Sequence, residues 1–180
     1  NVDFPSIEYY NEKYTVGKYH TMVESGTDPA AALDSLKKTS RDNDRTPMQW
    51  NGAPHGGFTT GTPWMHVNPN YPQINVEQEE QAEQSVLRFY RTLTGLRKAH
   101  PVMVYGTYRQ LLEDDPDLIV YKREYESETW LVLCNFYDRE HPLPQAVKEE
   151  LAKGNHRLVL ANYPDAGEVL RPYEARIYSY

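Results

Sequence analysis

The sequence has few cysteines, no long apolar segment and no cluster of positive charge, and each of these absences bears on where the protein is located or what it binds. Cys134 is the only cysteine in 180 residues, so no disulfide can form within the chain, and we expect a reducing compartment, the cytoplasm. Because Cys134 lies in an apolar run, it is expected to be a small buried residue. Apolar segments fall short of the roughly 18–20 residues of a membrane-spanning helix. The formal net charge is −7 without a basic cluster, which argues against nucleic acid and membranes as partners.

Motifs for metal, phosphate or nucleophilic chemistry are also missing. The six histidines show no i,i+4 pairing and no cysteine partners at zinc spacing, so no metal site is predicted. The glycine-rich HGGFTTG has no lysine and lacks the strand and helix that flank a phosphate loop. The acidic residues at 77–83 are interpreted as a solvated first helical turn. No cofactor is therefore predicted.

The periodicity of apolar residues changes along the chain. Helices are predicted at about 15–24, after Asp28-Pro29, and as one long helix over 75–100 that Asn75 caps and Pro101 ends. Glycine and proline signals predict a long ordered loop from 51 to 75. Beyond residue 105 the period falls to two, and turn signals separate the runs, which predicts an antiparallel β domain and an α+β fold class. The strand-like runs are GTYRQLLE, DLIVYKREY, TWLVLCNFY, HRLVLANY and EARIYSY, with a hairpin tip at YESETW.

One short stretch, SRDNDRTPMQW at residues 40–50, has an unusual charge pattern. Its cations are both arginines, Arg41 and Arg45, whose planar guanidinium groups suit bidentate contacts with carboxylates or adjacent hydroxyls. The stretch connects a short helix to the long loop, and loops held in this way commonly build pockets. Residue types alone leave two interpretations open, a polar binding pocket and a solvated charge run.

The same stretch, followed by GGFTTGTPWMHVNPNYPQINV and SVLRFYRTLTGLRK, resembles the α-glucosidase branch of the α-amylase superfamily, and oligo-1,6-glucosidases most of all. The likeness continues through YGTYRQLLEDDPDLIVYKR and LRPYEARIY. It implies that residues 1–104 are the last helices and loops of a (β/α)8 barrel and that residues 105–180 are a C-terminal antiparallel β-sandwich. The first residues, NVDFPSIEYY, show neither an initiator methionine nor a signal pattern, so we expect a missing N-terminal barrel portion.

The resemblance also implies a function for the longer protein and roles for residues of this chain. The family hydrolyses α-glucosidic bonds of short oligosaccharides from the end, with retention, using two carboxyl groups about 5–5.5 Å apart. Those carboxylates are implied to lie upstream, so no catalytic residue is predicted here and the chain alone is predicted to be inactive. Arg45 is implied to bind a glucose hydroxyl and to pair with a barrel carboxylate. Arg41 is a second substrate-binding candidate, although Arg41, Asp42 and Asn43 are chiefly expected to shape the loop.

Two departures from the family and two kinds of alternative remain. Asp44 stands where the family has a small residue, so we expect an altered preference for the leaving sugar, and YNEKYTVGKY keeps little of the family pattern. Trehalose-6-phosphate hydrolases and sucrose-isomerising enzymes are the near alternatives. The alternative of another class is a stand-alone, non-catalytic carbohydrate-binding or interaction module. Without the rest of a barrel, four apolar residues of the predicted long helix are expected to face nothing: Val86, Leu87, Leu93 and Leu96.

Overall fold

The computed structural model describes residues 2–180, which form two compact units. The first unit ends at Arg88 and is helical, with long loops. The second unit, Phe89–Tyr180, contains all of the strands. Helices followed by an antiparallel sheet confirm the predicted α+β class. The barrel and sandwich assignments, with their boundary at 104/105, stay predictions.

Local capping explains the first two α-helices, which lie where they were predicted. Asp28 accepts hydrogen bonds at 3.0 Å from the backbone N–H groups of Ala30 and Ala31, and Pro29 occupies the first helical position. These contacts satisfy amides that have no partner inside the helix. The helices of the first unit are Lys13–Glu24 (α1), Pro29–Lys37 (α2) and Val76–Gln81 (α3), with 3-10 helices at Ile7–Tyr9, Arg41–Asp44 and Pro54–Gly57.

The long helix predicted over residues 75–100 is wrong, because the chain forms two helices there. Asn75 does cap the first, since its side chain accepts from the Gln78 N–H at 2.9 Å. Helix α3 then ends at Ala82, which has an extended backbone (φ −63°, ψ 136°). A second helix, Val86–Ala99 (α4), follows.

Side chains between the two helices explain the break. The Ser85 hydroxyl accepts from the Arg88 N–H at 3.2 Å, and the Glu79 carboxylate accepts from the Leu87 N–H at 3.1 Å. Both contacts satisfy amides in the first turn of α4, so a new helix start competes with continuation of the old one. The boundary between the two compact units falls in this first turn of α4.

The first unit has a small apolar core near its N-terminal segment. Buried residues there pack against partly buried residues of α1 and α2, and Phe4 meets Tyr10 edge to face with ring centroids 5.4 Å apart. The core cluster consists of Val2, Phe4, Ile7 and Tyr10, with Tyr9, Val16, Tyr19 and Leu33 packed against it.

The second unit is built on a five-stranded antiparallel sheet. All five predicted strand-like runs form strands of this sheet, and the predicted hairpin tip is confirmed by the pairing of Tyr125 with Glu128 across a two-residue turn. The strands are Thr107–Gln110 (β1), Leu118–Tyr125 (β2), Glu128–Asn135 (β3), His141–Pro142 (β4), Arg157–Ala161 (β5), Val169–Leu170 (β6) and Ala175–Ser179 (β7). The order in the five-stranded sheet is β1-β2-β3-β7-β5, and β4 and β6 form a separate two-stranded sheet.

Three elements of this unit lie in segments where no helix or strand was predicted. A short helix, Gln145–Leu151 (α6), and the two-residue strands β4 and β6 were not predicted. They cover one face of the large sheet, where Val147 and Leu170 are fully buried. Such short elements have too few residues for a visible period, and their stability comes from that burial.

Helices cover the opposite face of the large sheet. Trp130 and Val132 of β3 pack there against the short helix Val102–Tyr105 (α5), and Leu93 and Leu96 of α4 join them. The expectation that Leu93 and Leu96 face nothing is therefore wrong. Burial on both faces explains why β3 is a continuous apolar run instead of an alternating one.

Two expectations about individual residues have mixed outcomes. Val86 is 81% exposed, as expected for an apolar residue without a partner surface. Cys134 is only partly buried, although burial raises the pKa of its thiol to about 11. In the described part of the chain, residues 2–180, no helix combines the length and the apolar character needed to cross a membrane.

Candidate functional site

The stretch SRDNDRTPMQW leaves α2 as a tight 3-10 turn. Ser40 begins the turn, because its hydroxyl accepts from the Asp42 N–H at 3.2 Å and from the Thr15 hydroxyl at 3.2 Å. The Ser40 N–H donates to the Leu36 carbonyl at the end of α2, at 2.9 Å. Ser40 therefore connects the stretch to α1 and α2.

Asp42 is the anchor of this turn. It is fully buried, and its Oδ2 accepts from two consecutive backbone N–H groups, those of Asn11 at 2.6 Å and Glu12 at 2.9 Å. These amides lie just before the first residue of α1, where a carboxylate is favoured by the orientation of the peptide dipoles. Its other oxygen, Oδ1, is also buried and has no hydrogen-bond partner among residues 2–180.

Asn43 anchors the turn from the other side. Its amide nitrogen donates to the Lys37 carbonyl at 2.9 Å, and its oxygen accepts from the Val2 N–H at 3.2 Å. Asp42 and Asn43 thus shape the loop, as the resemblance implied. Neither side chain is available to a ligand in this arrangement.

Arg41 and Arg45 differ from these two residues, because both side chains are exposed. Neither guanidinium group forms a hydrogen bond or an ion pair with any residue from 2 to 180. Both stand near Glu12, whose pKa is lowered mainly by a hydrogen bond from Thr15 and to a smaller extent by the two guanidinium charges. The turn consequently holds two unengaged arginines on a rigid backbone, with the exposed Asp44 between them.

The long loop after Trp50 is ordered by its own backbone contacts. The N–H groups of Trp50 and Asn51 both donate to the Gly56 carbonyl, at 2.7 and 3.1 Å. Three consecutive residues, His55, Gly56 and Gly57, have left-handed φ angles of 58°, 65° and 67°. A Cβ atom on Gly57 would lie 2.5 Å from the Asn51 side chain, so glycine is required there.

This loop borders an open groove of about 570 Å³ in the first unit. Trp64 (62% exposed) and Tyr71 contribute aromatic rings to it, and His55 and His66 contribute imidazoles. Asn11 also lines the groove, and its side-chain amide donates to the Trp64 carbonyl at 3.3 Å. Because the backbone N–H of Asn11 donates to Asp42, this residue connects the groove to the turn. The sequence marked the loop as ordered but did not predict the groove. In the sequence, the only feature that could have indicated this groove is the cluster of aromatic residues between turn signals.

Two buried carboxylates in the second unit are saturated by hydrogen bonds. Burial alone raises the pKa of Glu150, but hydrogen bonds from Lys122, Lys153 and Tyr180 outweigh it and lower the pKa to about 2. In the same way, burial opposes the hydrogen bonds from Arg176 and Arg171 to Glu174, whose pKa also falls to about 2. Such engaged groups hold the fold together and are poorly placed for proton transfer.

Within residues 2–180, no three His, Cys, Asp or Glu side chains are grouped so that they could hold a metal ion.

Comparison with known proteins gives consistent matches. A model of the alpha-amylase catalytic domain matches residues 3–106. Over 186 residues the chain is 42% identical to the oligo-1,6-glucosidase of Halalkalibacterium halodurans, with 99% of this chain and 32% of that protein covered.

Solved structures agree with this match. The chain superposes on the crystal structure of Bacillus licheniformis trehalose-6-phosphate hydrolase with a TM-score of 0.88 and 35% identity, over 98% of this chain and 33% of that one. Isomaltulose synthase from Klebsiella sp. LX3 gives a TM-score of 0.85 and 33% identity, over 99% of this chain and 33% of that one. The chain therefore spans about a third of the length of the relatives that it matches.

Proposed function

Because the chain belongs to the alpha-amylase family, we propose that it is the C-terminal portion of a retaining, exo-acting α-glucosidase of the oligo-1,6-glucosidase type. The substrates are short α-glucosides. The observation that carries the proposal is the turn at residues 40–50, which presents the side chains of Arg45 and Arg41 without partners among residues 2–180. The 42% identity to an oligo-1,6-glucosidase supports the choice of substrate class.

In this proposal Arg45 is the principal substrate-binding residue. Its guanidinium group binds a hydroxyl of the terminal glucose and pairs with a carboxylate from the barrel portion that the relatives have and this chain does not span. Arg41 is the second contact. Two charged donors on an anchored backbone suit this task, because the backbone of the turn is already ordered before the sugar binds.

The chemistry itself is assigned to that other portion. A retaining glycosidase needs a nucleophilic carboxylate and a carboxylic acid about 5–5.5 Å apart on opposite sides of the scissile bond. Neither Asp42 nor the two saturated carboxylates of the second unit, Glu150 and Glu174, is free for such a role. The chain supplies part of the glucose pocket but no catalytic carboxylate, and alone it is inactive.

The proposed architecture follows from the same assignment. Residues 1–104 complete a (β/α)8 barrel, and residues 105–180 form the C-terminal antiparallel β-sandwich. The protein is cytoplasmic and has no nucleic-acid or membrane partner, which agrees with its net charge of −7 and its single, weakly acidic thiol.

A second candidate activity, hydrolysis of trehalose 6-phosphate, is favoured by the likeness to a hydrolase of that substrate. Sucrose isomerisation has similar support from isomaltulose synthase. Residues 51–70 of the loop contain no lysine or arginine that would bind a phosphate, which argues against trehalose 6-phosphate as the substrate. A stand-alone carbohydrate-binding module, the alternative of another class, predicts that the chain alone binds sugars and needs no barrel portion.

The test is a kinetic comparison in the enzyme that contains both portions. Arg45→Ala is expected to lower kcat/KM for isomaltose by about 30- to 1000-fold, because the loss of a buried charged contact costs about 2–4 kcal/mol. Arg109→Ala is the matched control, since Arg109 is also an exposed arginine but lies on β1 of the second unit. Equal activities of the two variants would refute the role of Arg45. Turnover of trehalose 6-phosphate in preference to isomaltose would establish the second candidate activity.

A further inference from the structure

The loop after Trp50 begins with the dipeptide Asn51-Gly52, in which a main-chain nitrogen follows a side-chain amide that it can attack. Asn51 is the only asparagine of the chain that precedes a glycine. Gly52 is exposed, and a Cβ atom built on it would meet only the Pro72 carbonyl oxygen, at 3.9 Å. Because glycine has no side chain to restrict the backbone rotation that brings its nitrogen onto the amide carbon, this dipeptide is free to close into a cyclic imide.

Both nitrogens that take part in this reaction are unengaged. The Gly52 N–H, which would attack, forms no hydrogen bond with any residue from 2 to 180, and neither does Asn51 Nδ2, which would leave. A hydrogen bond on either nitrogen would have to break first and would raise the barrier. Such a bond is present on the main-chain nitrogens that follow other asparagines, those of Glu12, Tyr71, Val76, Phe136 and His156.

The carbonyl that would be attacked is already polarised by the loop. The Ala53 N–H donates to Asn51 Oδ1 at 3.0 Å, and it makes no second hydrogen bond within the described residues 2–180. Negative charge develops on this oxygen when a nitrogen adds to the amide carbon. A donor that is aimed at the oxygen beforehand stabilises that charge and lowers the barrier.

We propose that Asn51 is a site of spontaneous deamidation, with solvent water as the only co-reactant. The Gly52 nitrogen bonds to Asn51 Cγ and gives up its proton to solvent, the bond from Cγ to Nδ2 breaks, and ammonia leaves. Water then opens the cyclic imide. Cleavage of the new bond to Cγ gives aspartate, and cleavage of the original peptide bond gives isoaspartate. Nothing is oxidised or reduced, and the proposal is independent of the proposed function.

The products change the loop at the point where its backbone is held. The N–H groups of Trp50 and Asn51 share the Gly56 carbonyl, at 2.7 and 3.1 Å. Both products add a negative charge, and isoaspartate also adds a methylene to the main chain directly after these two amides. We expect the isoaspartyl form to lose the protection of both amides against hydrogen exchange. Because Pro54 and His55 line the groove, its wall is expected to shift in the same form.

The test follows the folded 180-residue chain in mildly alkaline buffer by peptide mapping at acidic pH, with mass spectrometry that distinguishes aspartate from isoaspartate. Both products are expected to accumulate at Asn51, at a rate at least about tenfold above that at Asn155. Asn155 is the internal reference because it is exposed as well. The next residue, His156, has a side chain, and its N–H donates to the Gly154 carbonyl at 3.1 Å.

Three variants separate the contributions of the loop. Gly52→Ala should fold normally, since Gly52 has open space and no left-handed φ, and it should slow the reaction at Asn51 about tenfold. Gly61→Ala is the matched control, because Gly61 lies in the same loop, also without a clash, but does not follow an asparagine. Ala53→Pro removes the donor to Oδ1. The Ala53 φ of −72° suits proline, so a rate about two- to tenfold lower is expected without loss of the fold.

The proposal is overturned if Asn51 stays intact in the folded chain, or if Asn155 reacts as fast as Asn51. Reaction only in urea-unfolded chain would overturn it as well. Equal rates in Gly52→Ala and Gly61→Ala would refute attack by the Gly52 nitrogen, and an unchanged rate in Ala53→Pro would refute the role of the Ala53 N–H. These measurements involve neither turnover nor sugar binding, so their outcome is separate from that of the proposed function.

Discussion

Removal of the Asp42 carboxylate should destabilise the first unit far more than removal of its neighbour. In Asp42→Ala, the N–H groups of Asn11 and Glu12 lose the acceptor that holds them at 2.6 and 2.9 Å. A hydrogen bond to a charged group contributes about 1.5–3 kcal/mol when it is buried. Since Asn11 is itself exposed, water replaces part of the hydrogen-bond energy that the variant loses. We therefore expect the free energy of unfolding of the first unit to fall by about 3 kcal/mol in total.

Two further variants separate charge from shape. Asp42→Asn keeps the side-chain volume and one acceptor oxygen but removes the negative charge. Its loss of unfolding free energy is therefore expected to be about half of that of Asp42→Ala. Asp44→Ala removes the same charge two positions along, from an exposed side chain. Its effect should stay within about 0.5 kcal/mol.

The assay is hydrogen–deuterium exchange across a urea titration, read separately in each unit. Peptides from α1 report the first unit, and peptides from β3 serve as an internal reference in the second. A loss of about 3 kcal/mol corresponds to a shift of roughly 1–3 M in the urea midpoint of α1. If Asp42→Ala and Asp44→Ala shift that midpoint equally, the anchoring role of Asp42 is refuted.

Two other predictions concern pH and glycine. The folded pKa of about 2 for Glu150 and Glu174 lies below the unfolded value of about 4.3, so their stabilisation is complete above pH 4.3 and is lost as the pH falls toward 2. Glu150→Gln should flatten the dependence of the β3 urea midpoint on pH in that window, and an unchanged slope would contradict the assignment. Gly57→Ala should destabilise the first unit by at least about 1 kcal/mol, because of its left-handed φ and the clash with Asn51, whereas Gly17→Ala inside α1 meets open space and should stabilise it by about 0.5–1 kcal/mol. Thermal unfolding of the two glycine variants checks the opposite signs.

The elements that were predicted correctly are those whose causes are local. Helix α2 follows from Asp28 and Pro29, which are adjacent in sequence to the amides and the turn that they stabilise. The strands of the large sheet follow from alternation of apolar residues within each run, and the hairpin from a two-residue turn. The resemblance that led to the family was also a property of contiguous residues, chiefly residues 40–50.

The errors occur where partners are distant or where two local signals compete. The end of α3 could not be read from the pattern, because Ser85 and Glu79 cap a new helix inside a continuous helical period. Helix α6 and strands β4 and β6 are too short to show a period and owe their existence to burial against the large sheet.

Sequence by itself therefore determined the helix-then-sheet order and the caps of α2 and α3. The choice of Arg41 and Arg45 as binding residues came from the resemblance and stays a prediction. Only the tertiary structure decided that Asp42 is a buried anchor, since the amides it binds lie about thirty positions upstream in the chain. The tertiary structure also decided that the loop after Trp50 and Asn11 line one groove. Local propensity acts over a few residues, whereas burial and long-range hydrogen bonds select which exposed and buried positions share a site.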